Sequence, residues 1–291
     1  MQEDVEQGVL VILDYAWGLF GLIVSVVTAH SVMRLVEMLA PRTAFSSRSQ
    51  LTSIKFWPFY LASLALTALL LKLTFENSQL FPLIKIDGET LYAASGLGPF
   101  NYVLWPIVNL TILDFFHYWK HRAQHKFFWR FHAVHHSIEE LSAINSYHHW
   151  TDPIFGTFLA AFPMAVLIGM DTPTFVVLAF LMWLQGAFIH SNTRIHLGIF
   201  NRIFVDNRLH RIHHSIEERH FDKNFGERSS IWDQLFGTAY FPERDEWPDT
   251  GVSGLPERRR LTDYIWCPSQ VQELGFKGPQ ESVTKPLADQ A

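Results

Sequence analysis

The chain has 291 residues, of which 48 % are hydrophobic and 18 % charged, so it can bury a large core. Its single cysteine, Cys267, excludes an intrachain disulfide, a thiolate zinc finger and a cysteine-held iron–sulfur cluster, and a net charge of -5 gives no basic surface for nucleic acid. The unusual feature is the presence of 15 histidines, because histidine is the commonest metal-binding side chain.

Three apolar runs in the first part of the chain are candidates for membrane-spanning helices. Residues 9–29 contain Asp14 as their only charged side chain, and residues 91–113 contain none. Residues 56–71 are also uncharged. Because an apolar helix of about 20 residues crosses the ~30 Å hydrocarbon core of a bilayer, we predict three crossings before residue 117.

Two further apolar runs, residues 153–170 and 172–189, are separated only by Asp171. Their shortness and the turn signal between them predict a helical hairpin that enters the membrane and returns to the same side. The sequence therefore predicts an all-α, multi-pass transmembrane helical bundle of about four to five membrane segments. The alternative is that these runs are buried helices of a soluble α-helical protein.

The distribution of charge predicts the orientation of this bundle. Arg34, Arg42 and Arg48 lie after the first run, whereas the acidic N-terminus and the acidic residues at 76–89 fall on the other side. Because cytoplasmic loops are enriched in Lys and Arg, the segment 30–53 is predicted to be cytoplasmic. The segments that follow the third run and the hairpin then lie on the same cytoplasmic face.

The chain divides into three predicted regions: N-terminal membrane helices at 1–95, a catalytic region at 96–241 and a polar C-terminal tail at 242–291. The tail is rich in Pro, Gly and charged residues, and from Cys267 onward we expect it to pack little against the rest of the chain. The clustered histidines fall in the central region.

The first histidine cluster recurs every four residues. His117, His121 and His125 are predicted to lie along one face of a helix that continues the third run. Two imidazoles four residues apart on a helix can hold one metal ion. The alternative is an interfacial helix whose histidines merely lie at the level of the lipid headgroups.

An internal repeat supplies two more clusters. Residues 132–140 are HAVHHSIEE and residues 210–218 are HRIHHSIEE, so seven of nine positions are identical. Each copy ends in a capping-box pattern, Ser137 with Glu140 and Ser215 with Glu218, which predicts a new helix directly after the histidines. The six candidate ligands in the repeat are His132, His135, His136, His210, His213 and His214.

The three clusters supply at least eight imidazoles, about twice what one tetrahedral metal ion needs, so the sequence predicts two metal ions held in a cytoplasmic helical cap. His190, at the end of the hairpin, is the best candidate for a ninth ligand. We expect His30 and His220 not to bind metal. The roles of four others stay open: His117, His148, His149 and His196.

Two carboxylates are candidates for orienting the imidazoles. Asp114 lies seven residues before His121, and Asp206 lies four residues before His210, so each is expected to accept the second N–H of an imidazole. A site built from histidine alone suits Zn, Cu, Fe or Ni, so coordination does not name the metal. The absence of an H-E-x-x-H motif argues against a metalloprotease.

These segments resemble one known family. Six segments are similar to the fatty acid hydroxylase superfamily, also called the sterol desaturase family. They are DFFHYWKHRAQH at 114–125, WRFHAVHHS at 129–137, His190-Ser191-Asn192, LHRIHHS at 209–215, NFG at 224–226 and IWDQLFGT at 231–238. The resemblance covers roughly residues 100–241. It implies an integral-membrane di-iron oxygenase that uses O₂ to hydroxylate or desaturate a lipid or sterol.

The resemblance also implies a ligand set and partners. The histidines that match the family's boxes are His121, His125, His132, His135, His136, His190, His210, His213 and His214. His117 stands where the family usually has an aromatic or apolar residue. The implied cofactors are two iron ions, which zinc can replace in an isolated sample. The implied partners are a lipid substrate from the bilayer and a separate electron donor, cytochrome b5-like or ferredoxin-like, because no His-Pro-Gly-Gly haem motif is present.

Two other functions remain open at this point. A membrane metal-ion transporter or metal-binding protein also uses clustered histidines, although transport sites lie near the bilayer midplane and these clusters follow the apolar runs. A haem-binding membrane protein is the third candidate, but eight clustered imidazoles exceed what one or two haems need. Metal analysis with a visible spectrum separates the three.

Overall fold

The structure, a computed structural model, describes residues 2–44, 46–77, 83–85, 95–169, 172–275 and 278. Within these residues the regular secondary structure is helical except for two short strands, β1 (Ile84–Lys85) and β2 (Ile168–Gly169), which pair in parallel. The helices are α1 (Gln2–Leu39), α2 (Ser47–Ile54), α3 (Trp57–Asn77), α4 (Asn101–Phe127), α5 (Trp129–His136), α6 (Asp152–Gly156), α7 (Phe162–Leu167), α8 (Thr172–Ile189), α9 (Asn207–His213), α10 (Ile231–Phe236) and α11 (Leu261–Glu273). Short 3₁₀ turns cover Gly98–Phe100, Gly198–Arg202 and Glu218–His220, and a π-helical segment, Thr157–Ala161, joins α6 to α7.

The first predicted run forms only part of α1, which extends over 38 residues. By length and composition, its stretch Tyr15–Leu39, 25 residues with a mean hydropathy of 1.8, is the one helix of the described chain able to cross a membrane. The other apolar helical stretches are shorter: Trp57–Leu73, Asp152–Leu167 and Phe180–Ile189.

The apolar run at residues 91–113 becomes helical later in the chain than the sequence indicated. Gly96 and Gly98 adopt positive φ angles of 67° and 52°, and Pro99 follows, so the chain turns before α4 begins at Asn101. Residues 91–94 lie outside the described part of the chain. From Asn101 the helix continues without a break to Phe127. This confirms that the first histidine cluster lies on a helix that continues the apolar run.

The predicted hairpin corresponds to two helical stretches. α6, the π-helical segment and α7 follow one another from Asp152 to Leu167, and α8 covers Thr172–Ile189. The turn predicted at Asp171 is not among the described residues. α8 packs along α1 and also contacts α4, and the π-helical segment packs against α4. Both stretches therefore border the helix that carries the first histidine cluster.

The region after residue 241 is packed against the rest of the chain as far as α11. The side chains of Tyr264, Cys267 and Val271 are buried in the main apolar cluster, which includes residues of α5. The ring of Phe56 stacks on Tyr264 at a centroid distance of 4.4 Å. The expectation of little packing from Cys267 onward is therefore wrong for the end of α11, because Cys267 and Val271 continue at helical spacing the buried stripe that begins at Tyr264.

The Ser-Ile-Glu-Glu segments do not begin new α-helices. Ser137 ends α5, where its hydroxyl donates back to Val134 O, and irregular structure follows. Ser215 Oγ accepts a hydrogen bond from Glu217 N, and the next helical turn is only the short 3₁₀ turn that begins at Glu218. The capping-box prediction is wrong because both serines complete the turn that precedes them.

Candidate metal centre

The nine histidines predicted as ligands lie together in two buried groups. In each group, one ring nitrogen of every imidazole lies within 4.8 Å of those of the others. The first histidine group consists of His121, His125, His132, His136 and His213. The second histidine group consists of His135, His190, His210 and His214.

Each H-x-x-H-H motif contributes to both groups. In the first motif, on α5, His132 and His136 belong to the first group, whereas His135 belongs to the second. In the second motif the assignment is reversed, because His210 and His214 belong to the second group and His213 to the first. Successive residues of a helix are rotated by about 100°, so a single turn can present imidazoles to two adjacent sites.

The remaining ligand candidates come from the two long helices that border the motifs. His121 and His125 lie four residues apart on the last part of α4, so both face the first group. His190 directly follows α8, whose last residue is Ile189, and it joins the second group.

The ring nitrogens of the groups face one another at short distances. In the first group, the Nε2 atoms of His121 and His132 are 2.9 Å apart, and those of His125 and His136 are 3.2 Å apart. In the second group, His190 Nε2 lies 3.1 Å from His135 Nε2 and 3.0 Å from His210 Nε2. The second group is completed by His214, whose Nε2 is 3.2 Å from His210 Nε2.

Hydrogen bonds at the opposite ring nitrogen fix the tautomer of several imidazoles. Four Nδ1 atoms lie against backbone carbonyls: His121 on Phe225 O (2.8 Å), His135 on Tyr147 O (3.1 Å), His190 on Gly186 O (2.6 Å) and His213 on Lys223 O (2.8 Å). A carbonyl oxygen can only accept, so each of these Nδ1 atoms carries the proton. Each Nε2 then carries a lone pair that points into its group. Metal-binding histidines have the same arrangement, with the other ring N–H donated to a partner outside the metal site.

Two such lone pairs face each other in the second group. His135 and His190 both hold their proton on Nδ1, yet their Nε2 atoms are only 3.1 Å apart. Burial lowers the pKa of His190 to about 3 and the pKa of His135 well below its usual value, so neither ring carries a second proton at neutral pH. A bound cation removes the repulsion between the two lone pairs. The residues of this group therefore fit a metal ion.

The first group contains a buried lone pair that lacks a partner. His213 Nε2 has no hydrogen-bond partner in the part of the chain that the structure describes, and burial lowers the pKa of His213 to about 3. An unsatisfied buried acceptor costs ~1–3 kcal/mol, which a metal ion bound to it would offset. With imidazole nitrogens as the only donors, the group suits Zn, Cu, Fe or Ni.

The two candidate carboxylates contact backbone amides rather than imidazoles. Asp206 caps the N-terminus of α9, accepting from Arg208 N and Leu209 N. Asp114 accepts from the amides of Arg228 and Ser229 at 3.0 and 2.8 Å. The expectation that they orient imidazoles is therefore corrected. Asp206 instead holds the start of α9, which carries His210 and His213, and Asp114 holds the segment at 228–229. Burial raises the pKa of Asp114 to about 7.

The other histidines have separate environments. His148 stacks on His135 at a centroid distance of 3.6 Å, and His117 Nδ1 lies 3.2 Å from Glu227. His149 contacts Thr151 Oγ1, and His196 is exposed. The two histidines not expected to bind metal, His30 and His220, lie outside both groups; His220 is buried between Ser215 Oγ and Glu246.

Sequence reasoning missed Asp222 as an outer partner. Its carboxylate accepts from His125 Nδ1 at 3.2 Å, and its backbone has a positive φ of 56°. Asp222 precedes the NFG segment, and an Asp before a turn tolerates this conformation, so the local sequence contained a signal. The carbonyl partners of four other imidazoles could not be predicted from the sequence, because every residue type has a backbone carbonyl.

Comparison with known proteins identifies the region that carries the site. A family model described as fatty acid hydroxylase matches residues 106–238. The chain is 36% identical over 189 residues to ornithine lipid hydroxylase OlsE of Rhizobium tropici, an alignment that covers 62% of this chain and 55% of OlsE. It is 30% identical over 130 residues to the alkylglycerol monooxygenase of Homo sapiens, with 43% and 28% covered, respectively. It is 31% identical over 168 residues to fatty acid hydroxylase vlmA of Lecanicillium sp, with 48% and 46% covered.

The chain thus spans about half the length of OlsE and less than a third of the human relative. No solved structure matches the chain. The matched region contains every member of the two histidine groups. Residues 106–238 of this chain, which carry both histidine groups, are therefore similar to the fatty acid hydroxylase family.

Proposed function

We propose that the chain is a membrane-bound oxidoreductase that uses O₂ and external electrons to hydroxylate a lipid C–H bond at two iron ions. The observation that carries this proposal is the pair of buried histidine groups, in one of which the Nε2 lone pairs of His135 and His190 face each other with no proton between them. The family of residues 106–238 and the names of the relatives, which are hydroxylases and a monooxygenase, support hydroxylation over desaturation.

Each histidine group would hold one iron ion. Two iron ions supply the activation of O₂ that cleavage of an unactivated C–H bond requires and that side chains alone cannot supply. The chain's own residues hold and orient the imidazoles. The carbonyls of Phe225, Tyr147, Gly186 and Lys223 keep the protons of four histidines on Nδ1, so the Nε2 atoms of these histidines stay free to bind metal. Burial of all nine imidazoles keeps them neutral and limits access of water.

The surroundings of the site support a lipid substrate and a membrane location. α1 contains a stretch long enough to cross a bilayer, and α8 packs on it. We propose about four to five membrane segments, with both histidine groups on the cytoplasmic face, in line with the basic residues of 30–53. Electrons would come from a separate donor of the cytochrome b5 or ferredoxin type.

The proposal is tested by metal content and isotope labelling on the same samples. Protein purified without chelators should contain two metal ions per chain, and membranes supplied with ¹⁸O₂ should yield a lipid that gains one labelled oxygen atom. His213→Ala should abolish the labelled product. His196→Ala, which changes an exposed histidine outside both groups, is the matched control and should retain it. One metal ion or none, or labelled product from His213→Ala, would contradict the proposal.

A further inference from the structure

A narrow cleft leads from the protein surface to the first histidine group. Three of its lining residues are candidate ligands of that group, His125, His136 and His213. Its outer end is formed by Ser253, which is exposed, and by Asp222, whose side chain is 45 % exposed. The open space in the cleft is about 10 Å³, which is enough for one water molecule or one metal ion. Only a very small solute can therefore use it.

The inner end of the cleft borders an imidazole with a free lone pair. The Nδ1 proton of His213 is donated to Lys223 O, and its Nε2 has no hydrogen-bond partner in the described part of the chain. None of the four histidines of the second histidine group lines the cleft. The cleft therefore gives access from solution to the first histidine group and not to the second.

One wall of the cleft is a segment that hydrogen bonds hold in place. Residues 251–253 form this wall, and they lie outside the region that the family model matches. Gly251 N donates to His214 O at 3.3 Å, and the neighbouring Thr250 Oγ1 donates to Glu139 O at 2.7 Å. These bonds tie the wall to the ends of both H-x-x-H-H motifs. The opening is therefore part of the ordered fold and not a gap beside a loose loop.

The mouth of the cleft is polar and negatively charged. Among the lining residues, which all belong to the described part of the chain, Asp222 has the one carboxylate. A charged side chain is costly to place against lipid, so the cleft opens toward water. The negative charge raises the local concentration of cations, whereas it does not attract O₂ or neutral solutes.

We infer, building on the proposed metal centre, that this cleft is the entrance through which divalent metal ions reach the first histidine group from water. Asp222 attracts the hydrated ion to the mouth. Inside the cleft, the lone pair of His213 Nε2 replaces a water molecule bound to the ion. This step exchanges one ligand for another, with no oxidation or reduction. The first histidine group is then the one that exchanges its ion directly with solution.

Reversible blocking of the cleft tests this inference without measuring oxidation. Ser253→Cys places a thiol at the mouth, and benzyl methanethiosulfonate attaches an uncharged ring to that thiol through a disulfide. Cys267, the one native cysteine, is buried and should not react. The metal-free chain in detergent is mixed with Co²⁺, and the visible absorbance of the bound ion gives the rate of uptake. We expect the label to slow uptake by roughly tenfold or more, because the ion must wait for the protein to open elsewhere.

Removal of the label with a reductant, which is itself removed before Co²⁺ is added, should restore the original rate and show that the fold is intact. Asp245→Cys, at an exposed position that does not line the cleft, carries the same label as the control and should keep its rate. Equal rates before and after labelling of Ser253→Cys, or an equal slowing in labelled Asp245→Cys, would overturn the inference and leave the proposed function intact. If the unchanged chain binds no Co²⁺, the proposed function fails together with the inference.

The charge at the mouth is tested by the dependence of uptake on salt. Asp222→Asn should slow Co²⁺ uptake by roughly tenfold at low salt, and the difference from the unchanged chain should shrink as salt screens the charge. A residue that only orients His125 would change the rate at which the bound ion leaves. An uptake rate that is the same in both chains at low salt would therefore overturn the role of Asp222 in entry.

Discussion

At the scale of single residues, the site depends on acceptor atoms that bind the outer ring nitrogen, Nδ1, of five of the nine imidazoles. Most of these are backbone carbonyls, but His125 relies on the side chain of Asp222, whose pKa is lowered chiefly by that hydrogen bond. The histidines themselves were predictable, because an i, i+4 pair and a repeated H-x-x-H-H motif have few explanations other than metal binding. Their outer partners were not, because a carbonyl acceptor can belong to any residue type.

Replacement of Asp222 should weaken metal binding without removing a ligand. Asp222→Asn keeps the size of the side chain but removes the charge that favours the Nδ1 proton of His125. We expect the affinity of the first histidine group for Zn²⁺ to fall by ~10- to 100-fold, as is typical for outer partners of ligands. Competition with a chromophoric chelator measures this change. Asp245→Asn, at an exposed position away from the site, is the control, and an equal loss in both variants would contradict the role of Asp222.

At the scale of elements, α1 completes the site from outside the matched family region. Glu37 is fully buried, and its Oε1 accepts from Ala143 N at 2.8 Å and from Asn192 N at 2.7 Å. One side chain therefore holds the segment after α5 and the segment after His190. Local composition, in the form of long apolar runs with few charges, predicted α1, α4 and α8. It could not predict that α11 packs on α5, because that contact joins distant parts of the chain.

Removal of the Glu37 carboxylate should destabilise both segments. Glu37→Ala leaves two buried amides without an acceptor, which costs ~1–3 kcal/mol for each amide. We expect a clear drop in the thermal unfolding temperature in detergent, together with loss of metal from the second histidine group. Glu37→Gln retains an acceptor oxygen and should recover most of the stability. If the two variants are equally destabilised, the charge of Glu37 matters and not its two hydrogen bonds.

At the scale of the whole molecule, nine neutral imidazoles in one interior couple folding to pH. Burial holds the pKa of His190 and His213 at about 3, whereas histidine in the unfolded chain titrates near pH 6.5. Between these values the unfolded chain binds protons that the folded chain does not, so the stability of the metal-free fold decreases as the pH falls. Above about pH 7 both states are neutral at these residues, and their contribution no longer changes.

Unfolding of the metal-free protein should therefore depend steeply on pH between about 6.5 and 4. Each histidine that stays neutral on folding contributes up to ~1.4 kcal/mol per pH unit to the slope of the free energy of unfolding. Denaturant titrations at several pH values measure this slope. His213→Asn removes one such group and should reduce the slope by up to that amount. Stability that is constant or rises between pH 7 and pH 5 would contradict the assignment of neutral buried histidines.

Each H-x-x-H-H motif contributes imidazoles to both histidine groups, so the two metal positions are interdependent. We expect an ion in the first histidine group to order α5 and α9, and these helices, together with the residue that follows α9, also carry His135, His210 and His214 of the second group. Because much of the ordering is complete when the first ion has bound, the second ion should bind more tightly, which is positive cooperativity. Native mass spectra recorded during metal titration should show chains with no ion and chains with two, and few with one.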